Sequence, residues 1–292
     1  MSEIVIIGGG AAGMMAAIAA AKNSIGENNN ITILEKNEKL GKKLFITGKG
    51  RCNVTNACEV EKLFDNVMEH SKFLYSAIYG FDNQAVMNFF EESGCKLKIE
   101  RGQRVFPESD HSSDIIRALE NELKKLKVKV LLDTEVKKID VSPLENINDN
   151  NANSQGDWHT KKSNKKKLKY TSQIQGVEIS TKLPGKRNGK PSYIKADKLI
   201  IATGGCSYVL TGSTGDGYRF ARELGHSVTK TSPSLVPFSI KEKWCYELQG
   251  LSLRNVRASV EVDGNEIYSD FGEMLFTHYG VSGPLILSAS SF

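Results

Sequence analysis

The stretch IVIIGGGAAG, Ile4–Gly13, limits the possible folds of this chain more than any other. Ile4–Ile7 is a short apolar run, rich in β-branched residues, of the kind that fills a strand buried on both faces. It runs straight into Gly8, Gly10 and Gly13, and an alanine-rich helical pattern follows over Ala11–Lys22. A strand that turns through G-x-G-x-x-G into a helix suits a phosphate group. The first glycine permits the tight turn, the second admits a pyrophosphate close to the backbone, and the third lets helix and strand pack closely. The helix start adds free N–H groups and a partial positive charge.

A second strand is expected at Ile31–Leu34 and ends on Glu35, which lies 22 positions beyond Gly13. A carboxylate there can accept hydrogen bonds from ribose hydroxyls and repels a 2′-phosphate. Gly8, Gly10, Gly13 and Glu35 therefore define a dinucleotide site, with Ala11, Ala12 and Lys36 as neighbours of its AMP half. These residues alone do not separate NAD from FAD. Two later features favour FAD. One is the cationic, glycine-rich loop GKKLFITGKGRCNVTN, Gly41–Asn56, which a simple NAD domain does not need. The other is ADKLIIATGG, Ala196–Gly205, read as a buried strand returning late to a glycine turn, with Thr203 and Gly204 near the cofactor.

Between these motifs, helices are expected at Glu59–Glu69, at Asn83–Ser93 capped by Asp82, from Ser112 or Ser113 to Lys127, and at Gly217–Leu224. GSTGDG, Gly212–Gly217, could hold phosphate or cap the last of these through Asp216. Asn146–Tyr170 is polar and Lys-rich and is expected to be a mobile surface insertion. After Pro233 the pattern alternates around Asp263-Gly264, a hairpin signal. The expected domains are 1–231, FAD-binding, and 232–292, part of a β-rich inserted domain.

The net charge is 39 − 34 = +5. Six lysines in Lys161–Lys169 account for it, and without them the balance is 33 − 34 = −1. No basic face, and hence no nucleic-acid partner, is expected; RNA-associated FAD chemistry would need such a face. Five scattered cysteines without a C-x-x-C pair read as reduced thiols in the cytoplasm, with Cys52 a buried, inert one. No metal site is expected. The longest apolar stretch, Met14–Ala21, is far short of the ~20 residues of a membrane span, so no membrane partner is expected either. The oligomeric state is left open.

The segments GGGAAG, EKNEKLGKKLFITGKGRCNVTN, RVFPESD, IIATGGCSYVLTGSTGDGY and GEMLFTHYGVSGP together resemble one bacterial flavoprotein family. Its members are described as NAD(P)/FAD-dependent oxidoreductases or aminoacetone-oxidase-family FAD-binding enzymes, and a member linked to bile-acid reduction is among them. The resemblance runs from Ser2 to about Ser288. It implies an α/β, Rossmann-type FAD-binding domain of the glutathione-reductase kind with an inserted β-rich domain. It also implies noncovalent FAD, NAD(P)H or oxygen in the other half-reaction, and a small organic substrate. Arg51 and Asn53, in GKGRCN, are implied cofactor contacts, and Val136 would offer its backbone to adenine. His278, beside Tyr279, is the candidate for proton transfer, with a structural role kept beside it. Family members continue with a segment that returns to the FAD domain, which this chain is expected to lack. An NAD-only dehydrogenase and an inactive dinucleotide-binding fragment stand as alternatives.

Overall fold

The computed structural model describes residues 2–24, 29–143, 172–182 and 189–292. The expected insertion at Asn146–Tyr170 lies outside them. The chain forms two compact units, one of residues 1–58 and 81–228, the other of 59–80 and 229–292.

The first unit is built on a parallel sheet. Strand β1 (Glu3–Ile7) is followed by helix α1 (Ala11–Asn23) and strand β2 (Asn30–Leu34). The sheet order is Lys198–Ile201, β1, β2, Lys129–Leu131, with every pair parallel. Alternate residues of β1 serve two cores, which explains its unbroken apolar sequence. Ile4 and Ile6 join Met14 and Ile18 of α1 and Leu119 and Leu123 of the helix Ser112–Lys125. Val5 and Ile7 face the other way, with Val136, Val177, Ile179 and Phe220. That second layer is an antiparallel three-stranded sheet, Thr134–Pro143, Ser172–Thr181 and Lys190–Lys195.

Three local expectations change. The strand Lys198–Ile201 is half-exposed rather than buried, because it lies at one edge of the four-stranded sheet. Helix Ser112–Lys125 is preceded by His111 and has no side-chain cap; the Ser112 hydroxyl instead donates to the Phe45 carbonyl at 3.0 Å. Helix Asp216–Glu223 starts after Gly215, and Asp216 does not cap it.

The second unit carries a long hairpin, Ser252–Val262 and Asn265–Thr277, turning at Asp263 and Gly264. Both turn residues have positive φ, 51° and 79°, as a two-residue hairpin turn of matching twist requires. Gly280–Ser282 and Phe238–Ser239 extend this sheet, and Cys245, Phe276, Val281 and Ile286 form its small core. The helix expected over Glu59–Glu69 is only Val60–Phe64, since Asn66 and Val67 donate three residues back and close the turn. No helix among the described residues is long and apolar enough to cross a membrane.

Candidate functional site

A cavity of about 480 Å³ lies in the first unit at the C-terminal ends of three parallel strands, with Ile7, Leu34 and Ile201 in its wall. Open α/β sheets bind ligands outside these strand ends. Of the residues singled out from sequence, Gly8, Gly10, Ala11, Ala12, Glu35, Lys36, Val136, Thr203 and Gly204 line it.

The glycines differ in what requires them. Gly8 has φ +108°, and a Cβ there would sit 2.4 Å from the Ala202 carbonyl oxygen. A Cβ on Gly13 would lie 1.8 Å from the Gly8 carbonyl oxygen. These two serve the chain's own packing. Gly10 does not, because a Cβ there would meet no protein atom within 4 Å. Its bareness leaves room at the start of α1, where no side chain caps the helix and no acid stands in the first turn. First-turn N–H groups have no intrahelical acceptor. The open position, the free donors and the helix dipole together fit a pyrophosphate.

Glu35 is buried, and its carboxylate is held at the glycine turn. Its Oε2 accepts from the Gly9 N–H at 2.6 Å. Its Oε1 accepts from the Asn37 backbone N–H at 2.8 Å and from the Asn37 amide at 2.6 Å. A carboxylate offers about four acceptor sites, so about one remains for a ribose hydroxyl. Asn37 also donates to the Thr211 carbonyl at 3.2 Å, tying β2 to the late glycine segment. Lys36 is committed elsewhere: its ammonium contacts Asp216 Oδ2 and Thr214 Oγ1, each at 2.7 Å. Burial alone would raise the Asp216 carboxyl, but the bonds from Lys36 and Thr214 outweigh it and hold it below the usual carboxylate range.

Val136 is buried in Thr134–Pro143, and Gly204 has φ +72° with its missing Cβ 2.9 Å from Ser213 Oγ. Arg51 and Asn53 lie outside the cavity lining. The Arg51 guanidinium donates to Asp110 from Nε at 2.7 Å, donates to Glu100, and stacks 4.2 Å over the Phe106 ring. The hydrogen bond from Arg51 holds Glu100 below its ordinary pKa; Lys98, then Arg51, do the same for Asp110. The Asn53 amide donates to the Val105 and Thr55 carbonyls at 3.1 and 3.0 Å. Cys52, between them, is 2% exposed, and burial pushes its thiol up. His278 belongs to the second unit and meets the Tyr279 ring edge-on at 4.7 Å. Among the described residues no cluster of three or more His, Cys, Asp or Glu is placed to hold a metal ion.

Sequence reasoning missed Gly9, Asn37, Lys42, Lys43 and Ser213, all in the cavity wall. The signal for the lysines was present: Gly41 followed by KKLFI starts a short helix, Lys42–Ile46, where a plain loop was expected.

Comparison with known proteins settles the family. The HI0933-like protein Rossmann domain matches residues 2–161, and the HI0933-like protein barrel and H2TH domain matches residues 232–292. The chain belongs to the HI0933-like family. This HI0933-like chain is 30% identical over 283 residues to a 3-dehydro-bile acid delta(4,6)-reductase of Clostridium scindens, covering 97% of itself and 58% of that protein. It is 28% identical over 294 residues to a ribosomal RNA dihydrouridine synthase of Haemophilus influenzae, covering 100% of itself and 61% of that protein. An Escherichia coli protein of the same name is 25% identical over 262 residues, covering 90% of the chain and 54% of its own length. The HI0933-like chain thus spans less than two thirds of these curated relatives.

Among solved structures, the 3-ketosteroid delta1-dehydrogenase of Sterolibacterium denitrificans matches with a TM-score of 0.55 at 12% identity, over 87% of this chain and 62% of that one. A flavocytochrome c3 fumarate reductase in an open conformation matches with a TM-score of 0.50 at 20% identity, over 87% of this chain and 47% of that one. The fold is the Rossmann-type, FAD-binding kind seen in flavoenzymes that carry additional domains.

One expectation is corrected. The Haemophilus and Escherichia relatives are named for ribosomal RNA, so the charge balance does not exclude nucleic acid. A whole-chain balance averages over local patches. Lys36–Arg51 alone carries five lysines and one arginine against one glutamate.

Proposed function

We propose that this HI0933-like chain binds FAD through its N-terminal glycine turn and belongs to an oxidoreductase that reduces a carbon–carbon double bond conjugated to a carbonyl. The observation that carries the cofactor reading is Gly10: it is bare where no protein atom needs it to be, beside uncapped first-turn amides, with the Glu35 carboxylate bonded to the Gly9 N–H of the same turn. When bound, FAD supplies hydride chemistry at N5 of its ring. The chain's own part is to hold the AMP half. The start of α1 faces phosphate, Glu35 takes a ribose hydroxyl, and the backbone at Val136 borders the adenine position.

The substrate class follows from what the relatives' names have in common. A 3-dehydro bile acid with 4,6 double bonds presents an alkene conjugated to a ketone. Uridine presents its 5,6 double bond next to the 4-carbonyl, and dihydrouridine is the product of reducing it. Both are hydride acceptors at the carbon β to the carbonyl. Both reactions are reductions, which supports NAD(P)H as electron donor. The test is anaerobic: FAD-loaded chain is reduced by light, then mixed with a cyclic enone, with a uridine oligoribonucleotide, and with the saturated ketone. Reoxidation by either unsaturated compound, and none by the saturated one, is expected. Reduced flavin that persists with both unsaturated compounds refutes the substrate class.

A further inference from the structure

The cations of the cavity wall are not equivalent. Lys36 is neutralised by Asp216 at 2.7 Å. Lys42 contacts Glu38 at 3.3 Å and Asn37 Oδ1 at 3.4 Å. The acid Glu135 is matched by Lys137 at 2.7 Å. Lys43 is half-buried in the same wall, and among the described residues its ammonium has neither a carboxylate nor a hydrogen-bond acceptor. A partly desolvated charge without a partner costs free energy, which an anionic ligand recovers.

The backbone places Lys43 beside the glycine turn. The Gly41 N–H donates to the Gly9 carbonyl at 2.9 Å, and the Phe45 N–H donates to the Gly41 carbonyl at 3.0 Å. The first bond ties the segment leading into Lys42–Ile46 to the middle glycine of the GGG turn, ahead of α1. A Cβ on Gly41, at φ +67°, would press within 3.0 Å of Ile116, so this close approach is also set by packing against the helix Ser112–Lys125. The helix start contributes about half a positive charge, and a pyrophosphate is a dianion. The helix alone leaves most of that charge unmatched. Glu35 stands at the ribose end and disfavours a phosphate there.

We propose that Lys43 is a phosphate-binding residue which selects ligands carrying a diphosphate, by a charge-assisted contact to the pyrophosphate of FAD. This assignment rests on the dinucleotide reading of the cavity. The test is calorimetric titration of the whole chain with FAD, ADP and adenosine, for wild type, Lys43→Met, Lys43→Arg and Lys39→Met. Lys39 is an exposed lysine of the same segment, over the Phe45 ring and outside the cavity lining, and it controls for overall charge. Lys43→Met should weaken FAD and ADP about tenfold or more, the scale of one charge-assisted hydrogen bond. Adenosine should bind as before, Lys43→Arg should restore most of the loss, and Lys39→Met should bind like wild type. Unchanged FAD and ADP binding in Lys43→Met overturns the assignment. So does an equal loss of adenosine, or an equal loss in Lys39→Met. A wild-type chain that takes up none of the three ligands removes the dinucleotide site itself, an outcome separate from a wild type that binds FAD indifferently to Lys43.

Discussion

The two glycines Gly10 and Gly13 are three residues apart, yet the structure predicts opposite consequences for replacing each with alanine. At Gly13 the new Cβ would lie 1.8 Å from the Gly8 carbonyl oxygen. Relief requires α1 to move off β1 by more than an ångström, in a core where Met14 and Ala17 are fully buried. Overpacking of this kind costs about 1–3 kcal/mol. In a unit of roughly two hundred residues each kcal/mol lowers Tm by about 2–4 °C, so Gly13→Ala should lose about 2–12 °C. At Gly10 the backbone has φ −80°, which alanine adopts freely, and the Cβ meets no protein atom within 4 Å. The poorer N-cap costs up to about 1 kcal/mol, and the reduced entropy of the unfolded chain offsets roughly as much. Gly10→Ala should therefore melt within about 3 °C of wild type. It should nevertheless lose FAD, because its methyl group takes the space left for the pyrophosphate. Thermal melts followed by far-UV circular dichroism, with FAD titrations on the same samples, read both effects. A Gly10→Ala chain that keeps wild-type FAD affinity, or a Gly13→Ala chain that keeps wild-type Tm, would refute the reasoning.

Three further outcomes follow from the same geometry. Replacing Glu35 by alanine leaves the Gly9 N–H and both Asn37 donors without their acceptor, and should cost about 1–3 kcal/mol in denaturant unfolding as well as FAD affinity; an unchanged unfolding midpoint would contradict the role given to Glu35. The folded-state pKa of Asp216 lies below its ordinary value, so the Lys36–Asp216 pair stabilises the fold above the ordinary carboxylate range and stops doing so as pH falls through the lowered value. Asp216→Asn should remove about 1 kcal/mol at neutral pH and flatten that part of the acid limb, as seen in stability measured against pH. Burial pushes the Cys95 thiol up to about 11 and raises that of Cys52, whereas Cys206 is exposed. With a chromogenic disulfide at neutral pH, Cys206→Ser should abolish the fastest thiol reaction; a fast reaction surviving in that variant would count against the assignment.

The part of the fold legible in the sequence is the part where local pattern and tertiary role coincide. β1, α1 and β2 could be read because an apolar run buried on both faces, a glycine turn and an alanine-rich helix each leave their own mark within a few residues. The hairpin at Asp263-Gly264 was legible for the same reason, since both turn residues need positive φ. The exposure of Lys198–Ile201 was not legible: an edge strand and a central one share a composition, and only pairing separates them. Arg51 shows a second limit. An arginine in a glycine-rich loop reads as a phosphate ligand, but its partners, Glu100 and Asp110, lie 49 and 59 positions away. Lys43 shows the converse: its cationic segment is visible in the sequence, but its being unpaired is a property of the folded surroundings. The exclusion of RNA failed because net charge carries no information on where charges gather.

The central claim is that this chain holds FAD in the cavity at the ends of β1 and β2. Its most direct test is the visible absorption spectrum of the purified 292-residue chain after incubation with FAD and removal of the excess, recorded before and after denaturation. The account predicts flavin bands near about 370 and about 450 nm that shift when the chain unfolds and releases its cofactor. A folded chain that stays colourless after this treatment would contradict it.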